Sequence, residues 1–268
     1  MNLTAIIDRW YRPPQVVPQN RVFSPEHFLL TGLILLFIIW LVHKVREKGD
    51  VTFTRQVVQQ LGVIMGGLEL FCICWRMHYY GWTVENLRFD WCNQICIVLP
   101  VLAVSLCERA WPFVDSAAFL GGGVVLAYPL WVFYDYARLH IMSIQSMVSH
   151  GLMVAIALLL PSASLGGYRR DPWKMGKRLA GLACLLAIAF LTSHWLNQNY
   201  LIMLNADGIP VLEHLAWPYY WVLALPLMML NLFLTTLGLS HFDRWMARGV
   251  QKADSASSAA LSSTGGSS

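Results

Sequence analysis

Seven apolar stretches divide almost the whole of this 268-residue chain. They run roughly over Phe28–His43, Val57–Met77, Trp91–Cys107, Phe113–Tyr134, Ser143–Leu160, Leu179–Leu196 and Leu215–Leu239. A tilted helix needs about 17–25 residues to cross about 30 Å of hydrocarbon, so each stretch is close to a span. The runs are continuous rather than alternating, which favours a helical bundle over a barrel, because hydrocarbon offers an open strand edge no partner. The expected fold is therefore all-α: a polytopic seven-transmembrane-helix bundle over residues 27–240. An interfacial segment, 1–26, precedes it, and a largely disordered cytoplasmic tail, 241–268, follows it.

Composition agrees. Charged residues are 13% and apolar ones 57%, against about 25% charged in a soluble domain. The net charge of +4 is no nucleic-acid signature, because the basic residues sit at span ends rather than on one stripe. They report topology instead. Arg9, Arg12, Arg21, Arg76, Arg88 and Arg138 fall on one side; Lys44, Arg46, Lys48, Arg55, Arg109, Arg169, Arg170, Lys174, Lys177, Arg178, Arg244, Arg248 and Lys252 fall on the other. The excess of Lys and Arg marks the cytoplasmic face. The N-terminus is thus expected outside, the C-terminus in the cytoplasm, and the protein in the cytoplasmic (inner) membrane.

The ends of the chain read differently. Leu3, Ile6, Ile7 and Trp10 recur at helical spacing before Pro13-Pro14, as in a short helix lying on the membrane surface. Residues 252–268 are Ala, Ser, Gly and Thr around one Lys, one Asp and one Leu, with almost nothing to form a core. The six cysteines fall in or at the edges of spans, where they read as small buried hydrophobes rather than a disulfide framework. Cys72 and Cys74 stand about 200° apart on a helix, so no metal site is expected. No cofactor is implied.

Polar residues inside the spans carry the functional reading, since each one is costly in hydrocarbon. Glu69 lies in the second span, Asn93, Gln94 and Cys96 in the third, and His150 in the fifth. With the helices running as above, all fall roughly 8–14 Å below the outer boundary. One outward-opening cavity is expected to hold them. Asn199 and Tyr200 follow the sixth span at that same end. Each residue also has a structural reading: Glu69 as an acid paired with Arg76, Cys96 as an inert thiol, and the aromatic residues as an interfacial belt. A carrier or receptor for a small ligand or lipid, or a non-catalytic membrane protein, fits the same pattern.

The order of motifs resembles the YwaF-like bacterial integral membrane family, related to the eukaryotic transmembrane protein 164 family. Gln94-Ile95-Cys96, Ser149-His150-Gly151 and Asn199-Tyr200-Leu201-Ile202-Met203-Leu204 carry the likeness, followed by Trp217-Pro218-Tyr219-Tyr220; the Gly-rich stretch from Gly121 to Pro129 also fits. It covers about residues 27–240. Cys92 stands where the family pattern has Pro. The resemblance implies a membrane-embedded acyltransferase or lipid acyl hydrolase, with Cys96 as nucleophile and His150 as its base. On that footing Asn93, Gln94, Asn199 or Tyr200 would donate hydrogen bonds to the oxyanion, and Glu69 would orient His150 or meet a lipid headgroup. Membrane lipids are the expected partners.

Overall fold

The structure, a computed structural model, describes residues 10–13, 23–128, 136, 139–204 and 214–264. The surface helix expected from Leu3, residues 129–134 of the fourth stretch and the last four residues lie outside this description. The described residues form seven α-helices and short 3₁₀ turns, with no strand among them. The helices are α1 (Pro25–Lys48), α2 (Val51–Tyr80), α3 (Trp91–Ser105), α4 (Trp111–Ala127), α5 (Ile141–Leu159), α6 (Gly176–Leu196) and α7 (Tyr220–Thr264).

Local sequence explains where they start and stop. Ser24 caps α1 by accepting from the His27 N–H at 3.2 Å, and Pro25 stands at the first helical position, where its missing donor costs nothing. Gly49, at φ 61°, closes α1 in the left-handed region. Asp50 then caps α2 by accepting from the Thr52 N–H at 2.8 Å. Two residues thereby reverse the chain.

Successive helices alternate in direction. At one end the His27 ring bonds the Leu126 carbonyl at 2.9 Å, Trp75 packs edge-on to His140, and the Leu201 N–H reaches Asp90. This is the Tyr80 end. Residues of the N-terminal segment rest on it, with the Tyr11 and Arg12 carbonyls held by Trp75 Nε1 and the His140 ring at 3.0 Å each. At the opposite, Lys48 end, Arg55 pairs with Glu108 at 2.8 Å, Arg170 with Asp243 at 2.7 Å, and the Arg46 guanidinium lies 4.0 Å over the Trp245 ring.

Helix α5 is the centre, packed against α1, α2, α3 and α4. Close approach is set by small residues: a Cβ on Gly122 of α4 would stand 2.6 Å from the His150 carbonyl and 2.9 Å from Val154 of α5. The outer helices leave Phe28, Leu36, Ile39, Leu191 and Val222 exposed. Such apolar surface has no place in water and fits a lipid contact. Five helices, all but α3 and α4, are long and apolar enough to cross a membrane unaided. Helices α3 and α4 have 15 and 17 residues, about 22 and 26 Å of rise. Helix α3 is shorter than the expected third stretch because Leu106 turns into the left-handed region.

Helix α7 passes residue 240 without a break. Phe242, Asp243, Trp245 and Met246 on α7 all engage the bundle, so helix packing continues past it. The helix then runs to Thr264, through a segment expected to be disordered from residue 252. Alanine is the strongest helix former, and no proline interrupts the run.

A buried ionic knot at the Lys48 end has no counterpart in the sequence reading. Asp115 of α4 is fully buried and accepts from Arg170 Nε at 2.9 Å, from Arg178 Nη2 at 2.9 Å and from the Tyr168 hydroxyl. Arg170 also donates to Asp243 and to the Ala157 carbonyl. Two arginines face two aspartates, and the loop from Pro161 to Met175 is tied to α4, α5 and α7.

Candidate functional site

Helix α2 contributes an acid and a base in an unusual state. Glu69 and Arg76 are buried, 5% and 4% exposed, and stand seven residues apart, two helical turns. Arg76 Nη2 lies 3.6 Å from Glu69 Oε1 and donates to the Cys72 sulfur at 3.0 Å. Neither Glu69 Oε1 nor Arg76 Nε has a hydrogen-bond partner. Buried polar groups are nearly always bonded, so two bare atoms on one ion pair require an explanation.

Helix α3 contributes the thiol. Cys96 is 3% exposed and its sulfur contacts Met153 Sδ of α5 at 3.7 Å. Across the α2–α3 interface it stands within electrostatic reach of Glu69, Cys72 and Arg76.

Helix α5 contributes the imidazole. His150 is buried, with Nδ1 2.6 Å from the Ser146 carbonyl one turn back. A carbonyl only accepts, so Nδ1 carries the proton and the neutral ring presents a lone pair at Nε2. That nitrogen has no partner. No hydrogen bond joins it to the Cys96 thiol, which meets α5 at Met153, one turn or about 4.5 Å further along the same face.

The remaining candidates fall elsewhere. Gln94 is two residues from Cys96, so its side chain leaves α3 about 200° away. It donates to the Phe89 carbonyl at 2.7 Å and to Leu185 of α6 at 3.2 Å. Both amide hydrogens are spent, and the unpartnered Oε1 only accepts. Gln94 therefore shares no wall with Cys96 and is no oxyanion donor in this arrangement. Asn93 bonds Asp90, the residue that receives the Leu201 N–H. Asn199 is exposed and holds the Leu204 N–H at 2.9 Å, while Tyr200 packs edge-on to Phe89. Asp90 and Phe89 thereby anchor the segment after α6 to the start of α3, while the Asn199 bond stays within that segment.

Unpartnered buried atoms thus remain on Glu69, Arg76, Gln94 and His150, and Cys96 meets α5 one turn from His150. Depth along the helices singles out Glu69, Cys96 and His150 in the sequence, and Arg76 enters there only as the partner of Glu69. Asp115, an acid within an apolar run, carries no signal of its role in the sequence, although it is the most completely bonded charge among the described residues.

A family model, described as the TMEM164 family, matches residues 22–236 of the chain. No curated protein and no solved structure matches it.

Proposed function

The chain belongs to the TMEM164 family and is a multi-pass membrane protein, and on that footing we propose that it transfers or hydrolyses fatty acyl groups of membrane lipids. In this reading all seven helices cross, the Tyr80 end faces outside, and Cys96 and His150 are nucleophile and base. The observation that supports it most is the His150 ring. Its tautomer is fixed by Ser146, and its basic nitrogen is bare inside an apolar bundle, one turn from a buried thiol.

The chemistry balances. The Cys96 proton moves to His150 Nε2 while sulfur bonds to the ester carbonyl carbon of a lipid; the carbon–oxygen bond then breaks, and the leaving alkoxide takes the proton from His150. A thioester and a lysolipid result. An acceptor hydroxyl or water next attacks the thioester, giving its proton to His150, which returns it to sulfur. General-base help of this kind is worth about 10²–10⁴ in rate. No hydrogen bond joins the two side chains in this structure, so the first step requires the Cys96 thiol to leave Met153 and meet His150 Nε2.

The test is covalent. Purified protein in phospholipid nanodiscs should acquire a hydroxylamine-sensitive acyl adduct, visible by intact mass, that is absent in Cys96→Ala and strongly slowed in His150→Ala. Equal labelling of wild type and Cys96→Ala, with matching melting temperatures, would remove the nucleophile and the reading with it.

A further inference from the structure

Cations at the Lys48 end divide into two sets. Those turned into the bundle are paired: Arg55 meets Glu108 at 2.8 Å, Arg170 meets Asp115 and Asp243 at 2.9 and 2.7 Å, and Arg178 meets Asp115 at 2.9 Å. Arg46 of α1 and Arg244 and Arg248 of α7 form no ion pair among the described residues. The carboxylates nearest to them in the chain are already engaged, Glu47 by Lys44 at 3.2 Å, Asp50 by the Thr52 N–H at 2.8 Å and Asp243 by Arg170.

Arg46 is the most informative of the three. Its guanidinium lies 4.0 Å over the Trp245 ring, a contact that uses the face of the fork and leaves the N–H edges in its plane to find acceptors. The Nε on one of those edges is buried and has none, and buried donors are rarely left bare. Arg248 stands three residues beyond Trp245, one turn along the same face of α7, and is exposed. The seam where α1 packs on α7 thus gathers unspent cationic donors around an indole that is 43% exposed.

The approach to that seam along α7 is apolar. Leu234, Gly238, Phe242 and Trp245 recur at helical spacing and form one stripe. The first three, with Phe119 of α4 and Leu158 of α5, line an open groove of about 430 Å³, a volume ordinary for a small-ligand site. A Cβ on Gly238 would meet nothing within 4 Å, so the groove is space there and not packing. A ligand that uses both features carries an anionic head and a hydrocarbon tail. A soluble anion would leave the groove unfilled, and a neutral or zwitterionic lipid would leave the net positive charge of the seam uncompensated.

We propose that the α1–α7 seam binds an anionic phospholipid from the leaflet at the Lys48 end, with its headgroup on Arg46 and Arg248 and one acyl chain in the groove beside Gly238. The site is separate from Glu69, Cys96 and His150, which α2, α3 and α5 supply, and it requires no acyl transfer. A lipid held there clamps α7 to α1 and stabilises the folded bundle, since it binds the native seam and not the unfolded chain.

Native mass spectrometry of the full chain, carried out on Cys96→Ala so that turnover cannot consume the ligand, tests this with palmitoyl-oleoyl phosphatidylglycerol against the matching phosphatidylcholine. Phosphatidylglycerol should bind more tightly. Arg46→Gln and Arg248→Gln should each weaken it about fivefold, the effect of removing one basic residue from an anionic surface, and leave phosphatidylcholine unchanged. Arg46→Lys, which keeps the charge without the fork, should lose less. Gly238→Leu, which fills the groove without altering charge, should weaken phosphatidylglycerol as well. The proposal is overturned if the double variant Arg46→Gln/Arg248→Gln, melting near the parent temperature, keeps the full preference for phosphatidylglycerol. It is overturned equally if Gly238→Leu binds phosphatidylglycerol unchanged, and that variant decides alone should the arginine variants not fold, because its side chain enters open space. Glycerol 3-phosphate binding as tightly as phosphatidylglycerol would overturn the lipid in favour of a soluble anion.

Discussion

Glu108 shows how a residue with no distinguishing sequence context acquires a defined role. It lies in the α3–α4 turn at the Lys48 end, where Arg55 of α2 donates at 2.8 Å, the Leu165 and Gly166 N–H groups at 2.9 and 3.0 Å, and Ser164 through its hydroxyl. Burial pushes its carboxyl up, but those four donors outweigh it and hold the group at about 2, against an ordinary 4.5. A pKa depressed in the folded state means that the contribution to stability is complete above the unfolded value and disappears as pH falls through the folded one. Melting temperature in detergent should therefore decline between about pH 4.5 and pH 2 for wild type, and Glu108→Gln, lower at neutral pH, should show a flatter profile over that window. Parallel profiles would mean that other carboxylates carry the acid sensitivity. None of this was legible beforehand, because the donors come from residues 55 and 164–166, far away in sequence. His150 is conspicuous in the sequence by itself, as an imidazole seven residues into the apolar run that begins at Ser143.

Helices were the most readable objects in the chain. Ser24-Pro25 and Gly49-Asp50 are stop and start signals with local causes, and the glycines near position 122 announce a close approach, here to the backbone of α5 at His150. Relationships between helices were not readable in the same way. Depth along an axis placed Gln94 beside Cys96, whereas rotation about α3 sends one to α6 and the other to α5. Likewise Arg170 and Arg178 read as topology signals in a basic loop, and only the fold shows them closing on Asp115. That knot ties α4 to the loop before α6, to α6 itself and, through Arg170 and Asp243, to α7. Removing one partner of a buried ionic group leaves the others charged and unpaired, at a cost of about 3–5 kcal/mol. Asp115→Ala should accordingly unfold at a markedly lower temperature or fail to accumulate, and Asp243→Ala, which leaves Asp115 to hold both arginines, should lose less. Thermal melts of the purified variants check the order; equal losses would show that the four charges do not act as one unit.

The bundle as assembled puts every heavily basic connection at one end. The α1–α2 turn, the α3–α4 turn, the α5–α6 loop and the last turns of the packed part of α7 all meet there, which alternation of seven helices requires. The fold also alters the charge count on which orientation depends. Arg76 is buried beside Glu69, and Arg170 and Arg178 are buried against Asp115, so none of the three is available to a membrane surface. Discounting them leaves the two ends still unequal, in the same sense. Exposed Trp82, Trp195 and Trp217 at the Tyr80 end, and Trp173 at the other, supply the aromatic belts expected at both interfaces. Orientation decides the chemistry as well as the address. Under the proposed mechanism, a Tyr80 end outside would have Cys96 and His150 served from the outer leaflet and would favour lipid over a cytoplasmic thioester donor. A phosphatase reporter that works only outside the cytoplasm should be active when joined after Leu87, in the α2–α3 connection, and silent after Gly167, in the α5–α6 loop. A fluorescent protein that matures only inside should give the reverse. The opposite pattern would turn the site inward, make soluble acyl donors accessible, and withdraw the outer-leaflet lipid from the mechanism while leaving the helix packing untouched.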